Sequence, residues 1–193
     1  MVKELTKKQQ EIQQKKELIF RTSIELFKTH GYDNVSIKDI CTATGVSTGS
    51  LYNMFENKAA ILYQFKELFE HNCYDTLRLN LNPENGIQTI ISYVMAILET
   101  FDYIGKDITL KLHLSHNLLF PQVSEGSKLL EQYIAELKDK NIISTTLSAT
   151  ECVDMIDTII YGYVYHWSLY NGEYDLLGKA KSNLPDMLSF LKY

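Results

Sequence analysis

The sequence predicts an all-α protein of about nine helices, with a small N-terminal head and a larger C-terminal body. Three observations predict it. Apolar residues recur at helical spacing along almost the whole chain, and nowhere do they alternate as a half-buried strand requires. Only three of 193 residues are proline and nine are glycine, so few positions forbid a long helix. Side chains that start helices stand at several points just ahead of these apolar runs.

The elements follow in order. Ile19, Phe20, Ser23, Ile24 and Phe27 fall on one helical face, in a helix expected from about Lys7 to just before Gly31. Ser36 with Asp39 three residues on reads as the start of a short helix that buries Ile37, Ile40 and Cys41. Gly45 ends it, and Ser47 caps a third helix carrying Leu51, Tyr52 and Phe55. A fourth runs over about 57–78. Asn82-Pro83 reads as cap and first-turn proline of a fifth helix reaching Phe101. A sixth segment covers roughly 104–118 and stops at Pro121, and a seventh covers about 125–140. After a loop at 141–147, Ser148 and Glu151 form a capping box for a very apolar eighth helix ending near Tyr170. Asn171-Gly172 is a turn, and a last helix spans about 174–191 with an irregularity at Pro185.

The bulk properties fit a globular chain, 45% apolar and 22% charged. Net charge is −5, which by itself argues against a nucleic-acid partner. Its distribution reverses that argument. Residues 1–60 hold nine Lys/Arg against seven Asp/Glu, whereas 61–193 hold ten against seventeen, so a mildly basic head precedes an acidic body. Cys41, Cys73 and Cys152 are odd in number and widely spaced, which suits a reducing cytoplasm rather than a disulfide or zinc framework. The Lys- and Gln-rich start has no apolar core of a signal peptide. The most apolar stretches, near 94–98 and 159–165, are short and mixed, so no membrane association is expected.

The stretch 35–55, V-S-I-K-D-I-C-T-A-T-G-V-S-T-G-S-L-Y-N-M-F, has the grammar of a helix-turn-helix. Two short helices, each capped by serine, meet at a tight turn on Gly45, where the backbone is expected to need positive φ. Ile40, Val46 and Leu51 supply a shared apolar centre. The second helix offers Thr48, Gly49, Ser50 and Asn53, short enough to let it approach DNA closely. An ordinary helical hairpin shares much of this pattern.

Residues 16–62 go further and resemble the DNA-binding head of the TetR family of transcriptional regulators. The resemblance rests on Ile19-Phe20, Leu26-Phe27, Gly31-Tyr32, Ser36-Ile37-Lys38-Asp39-Ile40, Gly45-Val46-Ser47, Gly49-Ser50-Leu51-Tyr52, Phe55, Asn57-Lys58 and Leu62, with no gap between Gly31 and Lys58. It implies a helix-turn-helix DNA-binding domain over 1–56 and a helical ligand-binding and dimerisation domain over 57–193. It implies a homodimeric regulator, a repressor in kind, that binds palindromic double-stranded operator DNA and is released by a small-molecule effector. Ser36, Ser50, Tyr52 and Lys58 would then contact phosphates, and Lys38, Thr48, Gly49 and Asn53 would read bases, with Ser47 at the start of the reading helix. The chain departs from common family residues at Thr42, Thr48, Asn53 and Met54, so the operator sequence does not follow from the resemblance.

In the body, Phe101, Tyr103, His113, His116, Phe120, Tyr133, Tyr161, Tyr165, His166 and Trp167 are candidates to line an effector pocket, because aromatic and His side chains combine apolar area with polar tips. Ordinary core and dimer packing uses the same residues. His113 and His116 stand three apart, a spacing that allows shared metal ligation. No third ligand is evident, so no metal and no cofactor are expected. The last two helices carry Ile156, Ile159, Ile160, Tyr163, Val164, Trp167, Leu176, Leu177, Leu184, Met187, Leu188 and Leu191, more apolar surface than one subunit should need, and by resemblance this is the dimer interface. No Gly-rich phosphate loop, H-E-x-x-H or G-x-S-x-G is present, so an enzyme is not expected. A helical ligand-binding or interaction module without a DNA role is the alternative.

Overall fold

The computed structural model describes residues 6–114 and 125–191. Among these the chain is helical, with nine α-helices and short 3-10 turns. It divides into two compact units, Met1–Glu67 and Leu68–Tyr193. The expected boundary at 56/57 falls eleven residues earlier, at the start of a helix that continues through the observed division.

The first unit begins with α1 (Lys7–His30). Thr6 caps it through a reciprocal bond pair with Gln9, a start that the sequence reading did not name. Gly31, at φ 82°, ends it by returning its N–H to the Phe27 carbonyl. A 3-10 turn (Tyr32–Asn34) leads to α2 (Ile37–Thr44), which starts on the Ser36–Asp39 capping box as expected. Gly45 is left-handed at φ 69°, a conformation costly for a residue with a Cβ. α3 (Thr48–Met54) follows, with Ser47 accepting from the Ser50 N–H. The core is small and apolar: Ile19, Phe20, Ile24 and Phe27 of α1, Ile40 of α2, Leu51 of α3, Phe55, and Ile61 and Leu62 at the start of α4 (Lys58–Asn80) are all buried.

The second unit is built around α5 (Ile87–Ile104) and α8 (Ala149–Leu169). α5 packs on α6 (Lys106–Leu114), α8 and α9 (Leu176–Met187), and α8 also packs on α6 and α7 (Glu125–Asp139). α5 is long and apolar enough to cross a membrane by length and composition, but Ile90, Val94, Ile97, Leu98 and Phe101 form a buried face of this core. The start of α5 differs from expectation. Asn82 and Pro83 open only a 3-10 turn, because Gly86 at φ 47° breaks the chain direction before the helix begins at Ile87. Tyr133 of α7 holds this corner, its hydroxyl 2.8 Å from the Asn82 carbonyl oxygen and 3.2 Å from that of Gly86.

α8 starts on the Ser148–Glu151 capping box, and Asn171 and Gly172 turn the chain at positive φ, both as expected. The last helix is shorter than expected. Asp175 caps it, and Pro185 stands in its final turn before a 3-10 turn at Ser189–Leu191.

The apolar surplus of these last helices needs a correction. Ile156, Ile160, Val164, Trp167, Leu176, Leu184, Leu188 and Leu191 are buried within the subunit, because α8 is covered from several sides at once. Of the expected set Met187 stays exposed and Ile159 and Leu177 half-buried, and the other large apolar side chains left outside are Met155, Tyr161, Tyr165, Leu169 and Tyr170.

Candidate nucleic-acid interface

The helix-turn-helix is set by local bonds that the sequence itself encodes. Thr44 donates its hydroxyl to the Ile40 carbonyl at 2.7 Å and accepts from the Val46 N–H at 3.4 Å, which fixes the chain on both sides of Gly45. Leu51, fully buried, anchors α3 against the core. With that anchor inward, the opposite side of the 3.6-residue turn must face out. Thr48, Gly49, Tyr52 and Asn53 are exposed, and Ser50 and Met54 are half-buried at the sides. Nothing lies within 4 Å of where a Cβ on Gly49 would stand, so this face is open to a close-fitting surface.

The flanking residues are less simple. Lys38 and Ser47 are exposed. Ser36 is exposed too, but its hydroxyl donates to the Asp39 carboxylate at 2.6 Å and accepts from the Asp39 N–H. Bonds from the Ser36 hydroxyl and N–H hold the Asp39 carboxyl below its ordinary range, so a negative charge stands at the first turn of α2. An approaching phosphate would meet that carboxylate beside Ser36. Lys58 is engaged inside the unit. Its ammonium donates to the carbonyls of Tyr32 at 2.7 Å and Val35 at 2.9 Å, and lies 4.2 Å from the centre of the Tyr32 ring. It therefore ties α4 to the turn that delivers Ser36. Sequence reasoning missed this clamp, because backbone carbonyls leave no trace in residue types. Lys16 stands 6.0 Å from the centre of the Phe55 ring, at the edge of cation–π range.

The described body residues expected around an effector differ in exposure. Phe101, Tyr133 and Trp167 are buried, whereas Tyr103, Tyr161 and Tyr165 are exposed. The His113 side chain, His116 and Phe120 lie outside the described residues. Tyr103 lines a groove of about 430 Å³ with Asp75, Leu79 and Glu99. His166 lines another, of about 350 Å³, with Ile159, Tyr163 and Met187. Burial, with Asp154 nearby, pushes the Asp157 carboxyl up to about 6, and partial desolvation with the neighbouring Asp157 charge raises Tyr161. Among the described residues no group of His, Cys, Asp and Glu is arranged to hold a metal ion.

Residues 19–64 match the sequence model of the bacterial regulatory proteins of the tetR family. The HTH-type transcriptional repressor DhaR of Mycobacterium sp. (strain GP1) is 31% identical over 80 residues, a stretch covering 40% of this chain and 40% of DhaR. Among solved structures, the fatty acid degradation regulator FadR of Bacillus halodurans superposes with a TM-score of 0.63 at 20% identity, over 92% of this chain and 94% of that one. Thermus thermophilus FadR, a TetR-family repressor solved in complex with lauroyl-CoA, gives 0.58 at 19% identity, over 91% and 94%. The described residues thus share the all-helical fold of these solved structures, and the helix-turn-helix lies within the stretch that matches the tetR-family model. The similarity in sequence is to that family at residues 19–64, and the described body follows the same all-helical architecture as the solved structures.

Proposed function

We propose that this chain is a tetR-type transcriptional regulator, a repressor in kind, that binds palindromic operator DNA as a homodimer and is released by a small organic effector in its body. The outward face of α3 carries the reading: Thr48, Gly49, Tyr52 and Asn53 stand clear of the core while Leu51 holds the helix from behind. Asn53 suits the N6/N7 edge of adenine, Thr48 suits a thymine methyl, and Lys38 suits guanine. Tyr52 and Ser50 supply hydroxyls for phosphate. Ser47 caps α3, and Ser36 and Lys58 act mainly by holding the first turns of α2 and α4 in place.

The homodimer is supported by the exposed apolar side chains of α8 and α9, Met155, Tyr165, Leu169 and Met187. Two heads one turn of B-DNA apart, roughly 34–36 Å, would enter successive major grooves. The effector reading draws on the FadR of like fold that was solved with lauroyl-CoA. Effector and operator would then weaken each other's binding by the same factor. A cytoplasmic, non-enzymatic protein follows from this role.

Fluorescence anisotropy on labelled DNA flanking its own gene tests the reading. Sequence-selective binding is expected, with Asn53→Ala lowering affinity for the selected site by about 10-fold, the low end of a bidentate base contact. Equal affinity of the wild type for that DNA and for scrambled DNA would refute it.

A further inference from the structure

Gly162 is an odd residue to find where it is. It stands in the second half of a 21-residue helix, exposed, and nothing in the subunit lies within 4 Å of the place its Cβ would occupy. Glycine is the poorest helix former after proline, so an open helical position gains nothing from it within the subunit. A backbone approaching from outside is the physical use of a missing side chain.

The residues around Gly162 are arranged symmetrically about it. Three before and three after are Ile159 and Tyr165. Four before and four after are Thr158 and His166. Seven before and seven after are Met155 and Leu169. Met155, Tyr165 and Leu169 are 41–53% exposed. A second α8 crossing antiparallel at Gly162 would set Met155 against the partner's Leu169, Ile159 against the partner's Tyr165, and Thr158 against the partner's His166. Apolar meets apolar and polar meets polar, which is the self-complementarity of a two-fold interface. A parallel crossing would instead set Asp154 against its own copy. In the antiparallel one, Asp154 approaches the end of α8 where His166 bonds Tyr174 at 3.0 Å and the Lys179 ammonium lies 4.5 Å from the Tyr174 ring centre.

A second observation stands beside the glycine. The groove of about 350 Å³ between α8 and α9 is lined by Gly162 and Tyr163 together with Ile159, Asn183 and Met187. Tyr163 is only 7% exposed, and its hydroxyl is buried near Asn183 at the wall of this groove.

From these we infer that Gly162 lies on the two-fold axis of the homodimer, where two α8 helices cross antiparallel with backbone against backbone, and that a partner side chain completes the Tyr163 groove. This rests on the homodimer reading above and adds its register. Sedimentation and cysteine cross-linking test it on the full chain. Gly162→Arg keeps the helical circular dichroism and raises the dimer dissociation constant roughly 100-fold or more, since the bulk enters the crossing twice. Gly162→Cys, a smaller change, forms a symmetric disulfide dimer under mild oxidant that the wild type, with its native cysteines, does not. A wild-type dimer that Gly162→Arg leaves intact and Gly162→Cys does not cross-link overturns the register alone. A wild type that is monomeric at micromolar concentration overturns the homodimer reading together with it.

Discussion

Two carbonyls, of Tyr32 and Val35, share one ammonium in the head, that of Lys58. Charge-assisted bonds of this kind contribute more than neutral ones. Lys58→Met, which keeps the aliphatic stem, is expected to destabilise the head by about 2 kcal/mol in urea unfolding. It should also weaken DNA binding at every sequence alike, because it loosens the turn before α2 rather than removing a base contact. Asp157 is the other residue with a clear consequence. Its folded value of about 6 lies above its ordinary 3.8, so the native state holds the proton more tightly than the unfolded chain does. The stability this group contributes is therefore fully present below about pH 3.8 and is lost as pH rises through 6. Asp157→Asn removes that loss. Its melting temperature should exceed the wild type's at pH 8, by several degrees, and the gain should shrink toward pH 4 in thermal unfolding followed by circular dichroism.

At the scale of elements, the turn between α2 and α3 is the most constrained joint of the head. Gly45 at φ 69° is the residue that lets two serine-capped helices meet at that angle. Open space surrounds its would-be Cβ, so the cost of a side chain there is conformational and not steric. Gly45→Ala should lower stability by about 1 kcal/mol, read from the shift of a denaturant midpoint at unchanged slope. The capping boxes at Ser36, Thr6 and Ser148 act in the same way at helix starts. Two of the three were legible as Ser-x-x-Asp/Glu. Thr6 gives no such signal, because a threonine with a glutamine three residues on in a lysine-rich stretch resembles any polar surface segment. The start of α5 was misplaced for a related reason: Asn-Pro announces a helix, but only the backbone at Gly86 reveals that the first turn belongs to a separate 3-10 piece.

For the whole molecule, charge sets how DNA would be held under the proposed function. The chain carries −5 overall, and its excess of Lys/Arg is confined to the first sixty residues. Attraction to phosphate is thus local and small, and non-specific binding should be weak. Affinity for random DNA is expected to fall by about 10-fold or more between 50 and 200 mM salt, and the log–log slope of specific binding should report a small number of phosphate contacts. A steep slope near −10 would mean that regions outside the head also touch the backbone.

Residue order alone determined the helical class, the head, the positive-φ turn at Gly45 and the polar set on α3. Each of these depends on neighbours within a few positions: a serine caps the helix it precedes, and Leu51 sets which way Thr48 and Asn53 point. The packed structure alone decided the rest. It committed Lys58 to two carbonyls, committed Tyr133 to the corner at Gly86, and covered Trp167 while leaving Met155 and Leu169 outside. Those outcomes depend on which surfaces meet across long stretches of chain, and apolar burial is non-directional, so spacing can name an apolar residue without saying what will cover it.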